Sequence, residues 1–83
     1  MRLFLIALIT SCILSAPAFA LDKFDTEATA QKHCPQDTVV WLNIPTMIWH
    51  ISGERWYGTT KKGAFVCEAE AAAEGARGSH NGQ

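Results

Sequence analysis

The sequence predicts a small α+β domain: a three-stranded antiparallel sheet, a short N-terminal helix, a C-terminal helix and one disulfide. Three observations lead there. Residues 38–44 (TVVWLNI) are β-branched and aromatic and contain neither Gly nor Pro, which suits a central strand. Residues 68–74 (EAEAAAE) are strong helix formers, followed by Gly75 as a stop. Two cysteines, Cys34 and Cys67, lie beyond an N-terminal segment that marks the chain for export, where thiols pair.

That segment is residues 1–20. Met1-Arg2 is a short positive start, residues 3–14 are almost wholly apolar, and Ala18-Phe19-Ala20 is a small-x-small cleavage site with Pro17 just before it. This is the pattern of a secretory signal peptide, and the mature chain is expected to begin at Leu21. The apolar run falls short of the ~20 residues that span a bilayer. A retained anchor is one alternative. A lipidated Cys12 is another, because Ile9-Thr10-Ser11-Cys12 loosely resembles a lipobox; the residues after Cys12 stay apolar where a polar tether is usual. The expected organisation is a signal peptide over 1–20, a domain over 21–74 and a disordered Gly-rich tail over 75–83. The expected location is the periplasm or the exterior, with no membrane span left after cleavage.

The elements follow in order. Asp25 or Thr26 caps a helix over about 26–33, with Glu27 suiting its dipole. Pro35 ends it and leaves Cys34 at the exit. The strand over 38–44 carries Val39, Trp41 and Asn43 on one face and Val40, Leu42 and Ile44 on the other. Pro45-Thr46 turns the chain into a second strand over 47–52 (MIWHIS), with Trp49 and Ile51 on one face and Ile48, His50 and Ser52 on the other. Trp56-Tyr57 reads as a short extended piece ended by Gly58. A polar loop follows, in which Gly63 fits a position of positive φ. A third strand over 64–66 runs into Cys67 and the last helix.

At this length the core is marginal, so a Cys34–Cys67 bridge would supply much of the stability. The competing use of these sulfurs is a thiolate metal site with His33; a redox-active pair ordinarily has its cysteines close in sequence. The chain has net charge −1, and removing a leader that contains Arg2 leaves it slightly more negative. Such a balance leaves no electrostatic footprint for nucleic acid or an anionic membrane.

Trp41 and Trp49 read as core, since a small domain needs the area they bury. Neighbouring strand residues point to opposite faces, so one of Trp56 and Tyr57 is expected to be the more exposed, which makes that pair the best contact surface. Arg55, Lys61 and Lys62 could add a basic patch beside it, and a lone strand His50 reads as a packed or rim residue. No nucleophile with a base, H-E-x-x-H, C-x-x-C or Gly-rich phosphate loop occurs, so no enzyme, resident metal or cofactor is predicted.

Several strings together carry a resemblance: H-C-P-x-D at 33–37, V-V-W-L-N at 39–43, H-x-x-G-x-R-W-Y-G-x-T-K at 50–61, G-A-F-V-C-E-x-E-A at 63–71 and G-x-R at 75–77. In these the chain resembles a group of small exported bacterial proteins of unassigned function. More remotely, its second half is similar to the metal-binding module of the Ada DNA-repair protein, which is also appended to some secreted nucleases. That resemblance implies a small hairpin sheet and a short helix. It does not carry the zinc site: His50 matches a histidine of the H-x-x-C element, but Gly53 stands at the cysteine and no cysteine pair follows Arg77. The expected function is a non-catalytic exported binding module presenting Arg55, Trp56, Tyr57, Lys61 and Lys62 to an unknown protein or a small anionic ligand. The alternative is a metal-binding module accessory to nucleic-acid processing.

Overall fold

The computed structural model describes residues 21–80. The expected signal peptide and the last three residues of the expected tail lie outside the described residues. The element order is α1 (Glu27–His33), β1 (Val39–Asn43), β2 (Ile48–His50), β3 (Gly63–Cys67), α2 (Glu68–Ala73) and β4 (Arg77–Gly78). The α+β class and the disulfide agree with the sequence reading. No described helix is long and apolar enough to cross a membrane.

Local chemistry sets the helix bounds. The Thr26 hydroxyl accepts the Thr29 N–H at 3.1 Å and caps α1. At the other end the Cys34 N–H donates to Ala30, and Pro35 follows. α2 starts directly after β3 and has no cap of its own at Cys67. Asp37 supplies one from a distance: its Oδ2 accepts the Ala69 N–H at 2.9 Å, while its Oδ1 accepts the Thr38 N–H at 2.7 Å.

The sheet is four-stranded and mixed, in the order β3-β1-β2-β4, rather than three-stranded and antiparallel. β1 pairs antiparallel with β2 (Leu42 opposite Trp49) and with β3 (Trp41 opposite Phe65). The added strand comes from the segment expected to be a disordered tail, and it pairs parallel to β2. Gly75, at φ 95°, turns the chain off α2, and Ala76 is buried. The Arg77 N–H then donates to Met47 and the Ser79 N–H to Trp49. Backbone bonds hold this strand, so it needs no apolar run. β2 is shorter than the expected 47–52. Met47 adopts a left-handed φ of 57°, and at the far end the Ile51 N–H is taken by the Glu54 carboxylate instead of a strand. On the outer side of β3, Phe24 and Phe65 exchange backbone bonds of 2.9 and 3.0 Å and cover that edge.

One face of the sheet is the core. Val40, Leu42 and Val66 pack with Ala71 of α2, Ala76 and Leu21, and Met47 and Trp49 lie against them. Gly78 lets the Trp49 indole come close, since a Cβ there would lie 3.0 Å from Nε1. Trp41 lies on the opposite face, buried, its ring meeting Phe65 edge-on at 4.8 Å. The Cys34–Cys67 disulfide spans a Cα–Cα distance of 6.3 Å and ties the exit of α1 to the junction of β3 and α2.

Candidate binding site

The face opposite the core carries Trp41, Asn43, Ile48, His50 and Phe65, which follow from strand alternation and the register. Residues 51–62 fold over it. They form a series of turns, not the extended piece expected at Trp56-Tyr57: Glu54 N–H donates to Ile51, Tyr57 N–H to Glu54 and Thr59 N–H to Trp56. Gly53 and Gly58, at φ 96° and 74°, supply the left-handed positions. Three contacts pin the loop down. The Trp41 Nε1–H donates to the Thr60 hydroxyl at 2.8 Å. The Tyr57 ring meets Phe65 at 5.5 Å. The Ile44 N–H donates to Lys62 at 2.9 Å.

Gly63 serves this arrangement by absence of bulk. Its φ is not positive, contrary to expectation. A Cβ would collide with Cε2 and Cζ2 of the Trp41 indole and come within 2.7 Å of Nε1. Trp41 therefore lies directly on the backbone of β3.

Beside the pinned loop a cavity of about 500 Å³ opens, within the range of small-molecule sites. The sheet contributes Asn43, Ile48 and His50. The chain around β4 contributes Arg77, Ser79 and His80, and the turns contribute Thr46, Trp56 and Thr60. His50 is 7 % exposed. Its Nδ1 has no hydrogen-bond partner among the described residues and lies 3.8 Å from Glu54 Oε1, a carboxylate already accepting the Ile51 N–H at 2.9 Å.

The five loop residues singled out in the sequence are not brought together. Trp56, 39 % exposed, forms a wall of the cavity, and the Arg55 guanidinium sits 5.1 Å from its ring centroid. Tyr57 turns inward onto Phe65. Burial first, and then the Glu27 carboxylate, push its pKa up to about 12. Lys61 and Lys62 are exposed in the turn before β3 and do not line the cavity. Arg77, Ser79 and His80 lie in the Gly-rich segment whose composition suggests a disordered tail, so no local signal marks them as lining residues. The G-x-R string at 75–77 was the one signal for that segment.

Charge is divided between the two ends of the sheet. At one end β1 stops while β2 and β3 begin, with Lys61 and Lys62 leading into the β3 edge and Arg77 on the β4 edge. At the other end, around the disulfide, Asp37 holds the start of α2, and His33 Nε2 lies 2.9 Å from Glu70 and 3.4 Å from Asp22. The donor atoms of His33, Cys67 and Glu70 lie within 4.8 Å of one another, and the Cys67 sulfur is bonded to Cys34.

No family model, curated protein or solved structure matches this chain.

Proposed function

We propose that this chain is a small exported binding protein without catalytic machinery, whose ligand enters the cavity between the sheet and the 51–62 loop. The observation that carries the reading is the cavity itself. It is lined by side chains from three separate segments of the described chain, the nearly buried His50 of the sheet among them. The loop that walls the cavity is fastened to the sheet by Trp41, Phe65 and Ile44, so the wall is in place before any ligand arrives. Export rests on the leader-like residues 1–20 and fits a disulfide that closes most of the domain.

A fragment screen on the ¹⁵N-labelled mature chain tests this. The expected hits move the amides of Ile48, His50 and Arg77 and the Trp56 indole together, and Trp56→Ala removes them while leaving the dispersion of the spectrum intact. Hits scattered over the surface, or hits indifferent to Trp56, refute the site.

The second reading, a metal-binding module accessory to nucleic-acid processing, is supported by the proximity of His33, Cys67 and Glu70. It requires the disulfide to be open, since zinc binds thiolates. Intact mass of protein from the exported fraction separates the two. A mass lower by two hydrogens than that of the dithiol form removes the sulfur ligands and refutes this reading.

A further inference from the structure

We infer that the ligand of this cavity is a small monocarboxylate with a flat apolar body, its carboxylate on Arg77 and its body against Trp56 and Ile48. The inference rests on the binding reading above and names the ligand class. Size sets the first limit: about 500 Å³ holds a fused-ring compound and not a protein segment of any length.

Charge sets the second. Arg77 lines the cavity, and among the described residues no Asp or Glu does. The nearby Glu54 is engaged by the Ile51 N–H and faces His50 Nδ1.

The hydrogen-bonding groups point the same way. Thr60 accepts the Trp41 indole N–H with one lone pair, and its O–H, which takes no part in that bond, can donate into the cavity. The Asn43 amide donates to Thr46 Oγ1 at 3.0 Å, and the Thr46 hydroxyl donates back to the Asn43 carbonyl at 3.3 Å, so Thr46 has no proton left to offer. The Arg77 guanidinium and the Thr60 hydroxyl, in a lining that also holds Ser79, His50 and His80, make a donor-rich set that suits a carboxylate. A single guanidinium matches a single negative charge. A phosphate dianion would leave charge uncompensated, since among the described residues no helix N-terminus, lysine or second arginine lines the cavity. The partly exposed indole of Trp56, with Ile48 also in the lining, favours a planar apolar body.

The test is a ¹H–¹⁵N titration of the mature, disulfide-bonded chain with 2-naphthoate, 2-naphthamide, 2-naphthylmethylamine and 2-naphthyl phosphate. Naphthoate is expected to bind at least about tenfold more tightly than the amide, an increment in line with one charge-assisted pair. It should shift Ile48, His50, Trp56 and Arg77. Arg77→Gln is expected to bring naphthoate down to the level of the amide, and Arg77→Lys to keep part of the preference. Arg77 is exposed and its strand is held by backbone bonds, so both variants keep the fold, which the spectrum verifies. Equal affinity for carboxylate, amide and amine at the same residues overturns the inference and leaves the binding reading standing. Tighter binding of the phosphate overturns the choice of a monocarboxylate. No shift at the cavity with any of the four overturns the inference, while the fragment screen decides the cavity separately.

Discussion

Reducing the Cys34–Cys67 bond is expected to take away most of the stability of the fold. The two cysteines are 33 residues apart in sequence. Loop-closure entropy for a ring of that length gives about 3.7 kcal/mol at 25 °C. A domain of this size has roughly 3–9 kcal/mol in total. The described core is correspondingly small: its largest fully buried side chains are Leu42, Val40, Val66 and Cys67. Reduction is a cleaner perturbation than mutation, because it leaves both sulfur atoms in place and opens no gap at Cys67. Urea unfolding followed by tryptophan fluorescence, with and without a phosphine reductant, reads the effect. With an m-value near ~1 kcal/mol/M, the midpoint should fall by about 3–4 M. Some reduced samples would then be largely unfolded before any urea is added. A midpoint shift worth less than ~1 kcal/mol would refute the reasoning and move the burden of stability onto the apolar core.

Three other perturbations follow from single contacts. Gly63→Ala should cost about 1–3 kcal/mol, because the new methyl meets the Trp41 indole and not because of its φ; thermal unfolding reads it, and a neutral result refutes the close approach. Asp37→Ala should cost about 1–2 kcal/mol by removing the distant cap of α2, and hydrogen exchange at Ala69 should rise first; unchanged exchange there would separate Asp37 from the helix. Tyr57 is the only tyrosine in the chain, so phenolate absorbance reports it alone, with a midpoint expected near pH 12 instead of 10. A phenol whose folded pKa is raised contributes its stability in full below pH 10 and loses it as pH rises through about 12, so base should destabilise the fold across that window; a midpoint near 10 would place the ring in solvent.

Parts of this molecule were legible because their signals are local. β1 has its strand character in its own side chains, α2 in its alanines and glutamates, and the disulfide in the cysteine count. β4 was not legible. Its pairing depends on backbone groups of a Gly-rich segment, and its position depends on the turn at Gly75 and the buried Ala76. The site inherits that blindness. Arg77 reaches the cavity through its parallel register with Ile48, which no pattern within residues 75–83 encodes. Trp56 was legible as a contact residue, but its partners were not: they come from β2 and β4 rather than from neighbouring Lys61 and Lys62. Gly63 is required for space and not for positive φ, two needs that look alike in sequence.

The arrangement separates stability from recognition. The disulfide, the Asp37 cap and the His33 contacts with Glu70 and Asp22 all sit where β1 begins and β3 ends. The mouth of the cavity, with Arg77, Thr46 and Asn43, sits where β1 ends. Few side chains serve both ends, and Trp41 is the chief one: it buries its ring on the sheet and directs Thr60 with its indole N–H. Changes at Arg77 should therefore alter binding with little effect on unfolding, and changes at Asp37 the reverse, because groups this far apart with no shared partner act additively. Trp41→Phe should break that separation. It loses one hydrogen bond, worth about 1 kcal/mol, and releases the Thr60 hydroxyl from its fixed direction. Both the unfolding midpoint and the ligand affinity should fall in that variant alone; a loss of stability with affinity unchanged would show that the loop is held in place by Tyr57 and Lys62 without it.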